Sequence, residues 1–173
     1  MLHYDVIICT KDRPDDILRF QKSLLSQSIL PINLIVVDGS VFKNNLKIEC
    51  ENILFYSGIN FIYVVSLPGL TYQRNIGCKH ISNLAEIVFF FDDDITFCDS
   101  LYIEKILHRF SEDLSCEIGW IFGCIINKDG TNQVYVKNDL YQFLFLVAKK
   151  FLGLLSRFFL IASSKVYRVL PSG

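Results

Sequence analysis

Glu86-Ile-Val-Phe-Phe-Phe-Asp92-Asp-Asp94-Ile-Thr-Phe97 is the stretch whose reading decides the fold. Residues 87–91 are five apolar residues in a row, three of them Phe, and they run straight into three carboxylates. Such a run has the length of a strand buried on both faces of a parallel sheet. Asp92, Asp93 and Asp94 then fall at its carboxyl end, the edge where open α/β sheets bind ligands. Three adjacent carboxylates repel one another, which points to a positive partner. An all-oxygen donor set suits a hard divalent cation, Mg²⁺ or Mn²⁺, that also bridges to substrate phosphates. The plainer alternative is an acidic surface turn, which a lone acid pair would favour. Three acids behind so apolar a run favour the metal.

Outward from this strand, apolar runs alternate with helical patterns. Tyr4 to Cys9 predicts a first strand, and Thr10-Lys-Asp-Arg13 a polar turn. Pro14 suits the first position of a helix, with Asp15 and Asp16 in its positive first turn. Ile17, Leu18, Leu24 and Leu25 recur at helical spacing and carry that helix to about Ser28. Ile32 to Val37 predicts a second strand ending in Asp38-Gly-Ser40, and a less regular helical segment follows to about Phe55. Ile59 to Val65 predicts a third strand, and Thr71 a cap for a helix reaching about Asn83. Beyond the acids come a helix near Asp99 to Phe110, a fifth strand from Ile118 to Ile126, and a hairpin turn at Lys128-Asp-Gly130. The fold class expected is α/β, a mostly parallel sheet covered by helices on both faces.

At 173 residues the chain is long enough for one domain, or a domain with an appendage. A formal net charge of -1 provides no basic field, so nucleic acid is not an expected partner. The six cysteines form no Cys-x-x-Cys pair, and several lie in apolar runs, as reduced thiols of a cytoplasmic protein do. The first residues enter a strand without a basic segment or cleavage site, so no signal peptide is expected. From Leu140 to Ala162 the only charged residues are Lys149, Lys150 and Arg157. They cluster on one arc of a helical wheel, and the lysine pair cuts the apolar run short of the roughly 20 residues a bilayer span needs. This C-terminal amphipathic helix suits either peripheral contact with the inner face of a membrane or packing against the sheet. The expected division is 1–130 as a ligand-binding domain and 131–173 as an apolar tail.

Three loops at the same sheet edge carry the candidate chemistry: Thr10 to Arg13, Asp38 to Ser40, and Asp92 to Asp94. Together they suit a nucleoside-diphosphate pocket. Thr10 offers backbone and hydroxyl contacts, and Asp38 can accept the imide N–H of uracil or thymine. Gly39 permits close backbone approach. Arg13 and Arg74 fit phosphate oxygens or the acids themselves. Asn75 offers an amide beside them. Arg74 and Asn75 equally suit ordinary surface positions, and Arg13 has Asp12, Asp15 and Asp16 as adjacent partners. His3, His80 and His108 lack ligand-like partners in sequence, and Trp120 fits a core.

These residues resemble a known family. Val6-Ile-Ile-Cys-Thr10-Lys-Asp-Arg13-Pro14, Ser23-Leu-Leu-Ser-Gln27-Ser and Ile35-Val-Val-Asp38-Gly-Ser40 are similar to family 2 glycosyltransferases of the GT-A fold. Leu67-Pro-Gly-Leu70, Arg74-Asn75-Ile-Gly77 and Phe91-Asp92-Asp-Asp94 continue the match in order, over about the first 125 residues. The resemblance implies inverting transfer of a sugar from a nucleoside-diphosphate donor to a glycan or glycolipid acceptor, as in polysaccharide biosynthesis. It implies Mg²⁺ or Mn²⁺ at an Asp-x-Asp motif formed by Asp92 and Asp94, with Asp38 at the base and Arg74 near the diphosphate. Thr10, Arg13, Asn75 and Asp93 join these as nucleotide-sugar-binding residues. The acceptor-activating base of the family has no counterpart here: Glu117 and Asp129 come too early, and Asp139 opens the apolar helix. A donor-binding half with a truncated acceptor region, inactive alone, is the expectation. Two other readings compete. One is a non-catalytic nucleotide-sugar-binding or membrane-associated module. The other is a haloacid-dehalogenase-like phosphatase with Asp92 as nucleophile and Asp94 as acid/base, although no downstream strand-plus-acids pattern completes it.

Overall fold

The computed structural model describes residues 1–41, 45–115, 118, 119 and 121. Eight elements alternate along it: β1 (Tyr4–Thr10), α1 (Pro14–Leu24), β2 (Asn33–Asp38), α2 (Leu46–Leu54), β3 (Asn60–Val65), α3 (Leu70–Cys78), β4 (Ile87–Asp92) and α4 (Tyr102–Glu112). The strands form one sheet in the order β3-β2-β1-β4, and every pairing is parallel. The α/β class and the helix-covered parallel sheet are thus as expected. β1 meets β2 on one side and β4 on the other. The strand order therefore reverses between β1 and β4, and a crevice opens there beyond their carboxyl ends.

Alternation along each strand divides the core in two. Val6, Ile8, Leu34, Val36, Phe89 and Phe91 face one side, where Phe20 of α1, Cys50 of α2 and Ile106 of α4 cover them. Ile7, Ile35, Val37, Val88 and Phe90 face the other side, against Ile76 and Cys78 of α3. All five apolar residues of β4 are buried. That burial on both faces is the reason the strand reads as an unbroken apolar run rather than an alternating one. On the α1 side, aromatic contact continues past the acids: Phe97 lies 5.2 Å from Phe91 and 5.7 Å from Phe20, centroid to centroid. Together with fully buried Ile95, this packing ties down the loop that carries the carboxylates.

Several boundaries move from their expected places, each for a visible reason. Pro14 does open α1, but the helix stops at Leu24 rather than Ser28. The residues after it turn to serve another element. The Gln27 side chain donates to the Asp99 carbonyl at 2.8 Å and accepts from the Ile103 N–H at 3.1 Å, which caps α4. Ser23 Oγ accepts from the Phe97 N–H at 2.7 Å. Asp99 occupies the turn before α4, its carboxylate accepting from the Leu101 N–H at 2.9 Å, so the helix begins at Tyr102. Thr71 does not cap α3. The cap position is Gly69, at φ 145°, and the helix ends at Cys78 rather than near Asn83. Of the expected fifth strand only Ile118, Gly119 and Ile121 are described; none is in a strand, and both isoleucines pack against the core. The hairpin at 128–130, Trp120 and the helix at 140–162 lie outside the described residues. Among the described residues no helix is long and apolar enough to cross a membrane.

Candidate functional site

The crevice at the β1–β4 reversal is an open cleft of about 560 Å³, lined by Cys9, Thr10, Lys11, Arg13, Leu70, Gln73, Asp92, Asp93 and Asp94. That volume is within the range of small-ligand sites. β1 delivers Thr10 and the turn after it, and β4 delivers the acids, because Cys9 stands in register with Asp92.

The three carboxylates have different surroundings. Asp93 is nearly enclosed: its Oδ2 accepts from the Thr10 hydroxyl at 2.8 Å and its Oδ1 from Arg13 Nη1 at 3.1 Å. Asp92 faces Arg74, whose Nη2 stands 3.6 Å from its Oδ1. Asp94 has Arg13 Nη1 at 3.9 Å from one oxygen, while its other oxygen, Oδ1, is buried without a hydrogen-bond partner. Burial pushes the Asp92 carboxyl above the usual range, against the pull of Arg74 and with a push from Asp94 and Asp93. Burial raises Asp93 as well, outweighing the help of Thr10 and Arg13. Arg13 itself is raised, first by the charge of Asp93. The same pair therefore stabilises the guanidinium without fully offsetting the cost of enclosing the carboxylate. Beside them the Cys9 thiol is pushed up to about 12, chiefly by burial, so it is no ready nucleophile.

Asp38 ends β2 in register with Thr10. It is buried and lies outside the cleft lining. Its Oδ1 accepts from the Ser40 N–H at 2.8 Å and from the Ser40 hydroxyl, and its Oδ2 accepts from the Tyr63 hydroxyl. Ser40 Oγ in turn accepts from the Asp12 N–H at 2.8 Å. The result is a bonded chain from the turn after β1, through the turn after β2, to β3. Burial raises the Tyr63 hydroxyl, and its bond to Asp38 raises it further.

The structure thus gathers Thr10, Arg13, Asp92, Asp93 and Asp94 at one cleft, with Arg74 on its rim through Asp92. Asn75 is exposed on α3 and is not part of the lining. Arg13 reaches Asp93 and Asp94 across the sheet edge instead of pairing only with its sequence neighbours. The sequence reading gave no role to Gln73, which is buried. Its Nε2 donates to the carbonyls of Thr10 and Val37, at 2.9 Å each, and its Oε1 accepts from the Gly69 N–H at 3.2 Å. One side chain therefore joins the ends of β1 and β2 to the start of α3. Gly39 serves the same junction: a Cβ there would stand 3.0 Å from Pro68 Cα and 3.2 Å from Gln73 Nε2. The close approach it allows is between loops. Tyr63 was also missed; a tyrosine in an apolar strand has no local signal for a carboxylate partner.

A sequence profile described as Glycosyl transferase family 2 matches residues 5–170. Among curated protein sequences none matches the chain. Of solved structures, S. aureus TarS 1-349 is similar at 18% identity and a TM-score of 0.58, over 82% of this chain and 40% of that one. A longer TarS structure gives 18% identity and a TM-score of 0.54, over 79% and 23%. The 4-diphosphocytidyl-2C-methyl-D-erythritol synthase from Anaerococcus prevotii gives 13% and 0.53, over 94% and 90%. At these identities the likeness speaks for the fold alone. The chain spans less than half of either TarS structure.

Proposed function

The chain belongs to glycosyl transferase family 2, and from that premise we propose that it binds a nucleoside-diphosphate sugar in the β1–β4 cleft for inverting transfer to a glycan or glycolipid hydroxyl. The observation that carries the donor site is the acid triplet itself, set at the reversal of strand order with one buried carboxylate oxygen left unbonded. Among the described residues no three His, Cys, Asp or Glu side chains converge on one point as a ready-made metal group, but two carboxylates with an unused oxygen suit a hard divalent cation that a substrate helps to hold. Asp92 and Asp94 are the residues that would hold it. Mg²⁺ or Mn²⁺ bound there would offset charge on the diphosphate leaving group.

The chain's own residues supply the rest. Arg74 and Arg13 carry guanidinium groups at the cleft, and their planar forks match diphosphate oxygens. Thr10 holds Asp93 in place and leaves Asp92 and Asp94 as the more accessible pair. Asp38 is buried outside the cleft lining, so reading the imide N–H of a base there requires the Tyr63 hydroxyl to give up Oδ2 and open the way to it. No described carboxylate outside the triplet lines the cleft, so deprotonation of the acceptor is assigned to none of the described residues. In this reading residues 1–130 form the donor half and 131–173 lead toward acceptor recognition. Family membership leaves the phosphatase alternative without support.

Saturation-transfer NMR with UDP-, dTDP- and GDP-sugars, each with and without Mg²⁺, tests the proposal. At least one donor should show metal-dependent saturation of its nucleotide protons, and Asp92→Asn should abolish it. If none of the donors shows metal-dependent saturation, the donor-site reading is wrong.

A further inference from the structure

Resting on the donor-site reading above, we infer that Arg13 is a resident counter-ion of the acid triplet, a guanidinium bonded to Asp93 that must swing away from Asp94 before a divalent cation can be held between Asp92 and Asp94. Its Nη1 stands 3.1 Å from Asp93 Oδ1 and 3.9 Å from Asp94 Oδ2, so one charge spans two of the three acids. The partners differ in freedom. The Arg13 side chain is 55% exposed and that of Asp93 only 8%. The carboxylate is fixed in the structure and the arginine reaches it from solvent.

Arg74 is held differently. Its side chain is 20% exposed. The guanidinium carbon lies 5.9 Å from the centre of the Phe90 ring while Nη2 faces Asp92. A ring on one side and a carboxylate on the other keep it on the rim. Arg13 instead ends the short turn after β1, where Asp12 takes a left-handed φ of 56°. That turn is fastened through its backbone, by the Asp12 N–H on Ser40 Oγ, and the Arg13 side chain is left free to exchange partners.

Charge balance gives the exchange a direction. Lys11, Arg13 and Arg74 stand against Asp92, Asp93 and Asp94, so the cleft is close to neutral as it stands. A bare divalent cation meets acids whose charge is already offset. A nucleoside diphosphate alone meets arginines already engaged. Arriving together they add little net charge: the cation takes the carboxylates, and the released Arg13 fork turns to the diphosphate oxygens. Cation and nucleotide should therefore each strengthen binding of the other.

Electron paramagnetic resonance of free Mn²⁺ tests this without any turnover. Titrations use the full chain as wild type, Arg13→Gln, Arg13→Lys and Lys11→Gln, alone and with UDP, dTDP or GDP. Arg13→Gln should bind Mn²⁺ alone about fivefold more tightly than wild type, the scale of one partly exposed ion pair removed. Arg13→Lys keeps the charge and should stay near wild type. Lys11→Gln removes a like charge from the same cleft and should change affinity less than about twofold, since no direct contact is lost. The nucleotide-induced gain in Mn²⁺ affinity should shrink in Arg13→Gln. Equal Mn²⁺ affinity in wild type and Arg13→Gln, or an equal gain in Lys11→Gln, overturns the inference while nucleotide-dependent Mn²⁺ binding keeps the donor site standing. Mn²⁺ held by none of the proteins under any condition would instead remove the donor site, and the inference with it.

Discussion

Asp5 shows at the residue scale what a single buried charge requires. It is fully buried at the start of β1, far along the strand from the cleft. Its oxygens accept from the Asn33 N–H at 3.0 Å, the Asn33 amide at 3.1 Å and the Ser82 N–H at 2.7 Å. Burial is the larger effect and raises its carboxyl above the ordinary value of 3.8. The folded chain then keeps this proton to higher pH than the unfolded chain does. Just above pH 3.8 the folded state binds more protons, so this residue's contribution to stability falls as pH rises. Asp5→Asn puts an NH₂ among three donors and should cost about 1–3 kcal/mol. Because asparagine does not titrate, its deficit against wild type should be greatest at the acid end of that window and shrink toward neutrality. Urea denaturation of both proteins across the window checks both size and slope. The sequence shows an acid at position 5 but not its enclosure, which depends on partners 28 and 77 residues away.

At the scale of elements, α3 decides how closely the ends of β1 and β2 gather beside the cleft. Gly77 faces the sheet, and a Cβ there would stand 2.6 Å from Ile7 Cγ2 and 3.4 Å from Val37 Cγ2. The glycine thus sets the separation between α3 and strands β1 and β2. Gly77→Ala should cost about 1–3 kcal/mol through overpacking, more than the small gain in helix propensity returns. Its thermal unfolding should show the loss, whereas Ala at an open helical position would show none. The strands and the acid loop were legible because each is a continuous apolar run ending in polar residues. Ser23 to Ser28 was legible as a motif, yet its work lies in the bonds of Ser23 to Phe97 and of Gln27 to Asp99 and Ile103. Gln73 was illegible because a glutamine inside a helix carries the local pattern of a surface residue. Only the fold brings the Thr10 and Val37 carbonyls to it.

For the whole molecule, parallel pairing and a reversal of strand order suffice to turn separate sequence motifs into one cleft. Residues 80 positions apart, Arg13 and Asp93, meet there at 3.1 Å. The site holds an electrostatic conflict kept in check: three carboxylates at a strand end, two of them made harder to ionise by burial, opposed by the guanidinium groups of Arg13 and Arg74. Crystals soaked in Mn²⁺ with UDP, dTDP or GDP in turn, and measured for anomalous scattering, test this account at its centre. It predicts an ion between Asp92 and Asp94 in at least one soak, a diphosphate oxygen among its ligands, and Arg13 turned away from Asp94. Carboxylates still paired as described, with no anomalous peak among them in any soak, would contradict it.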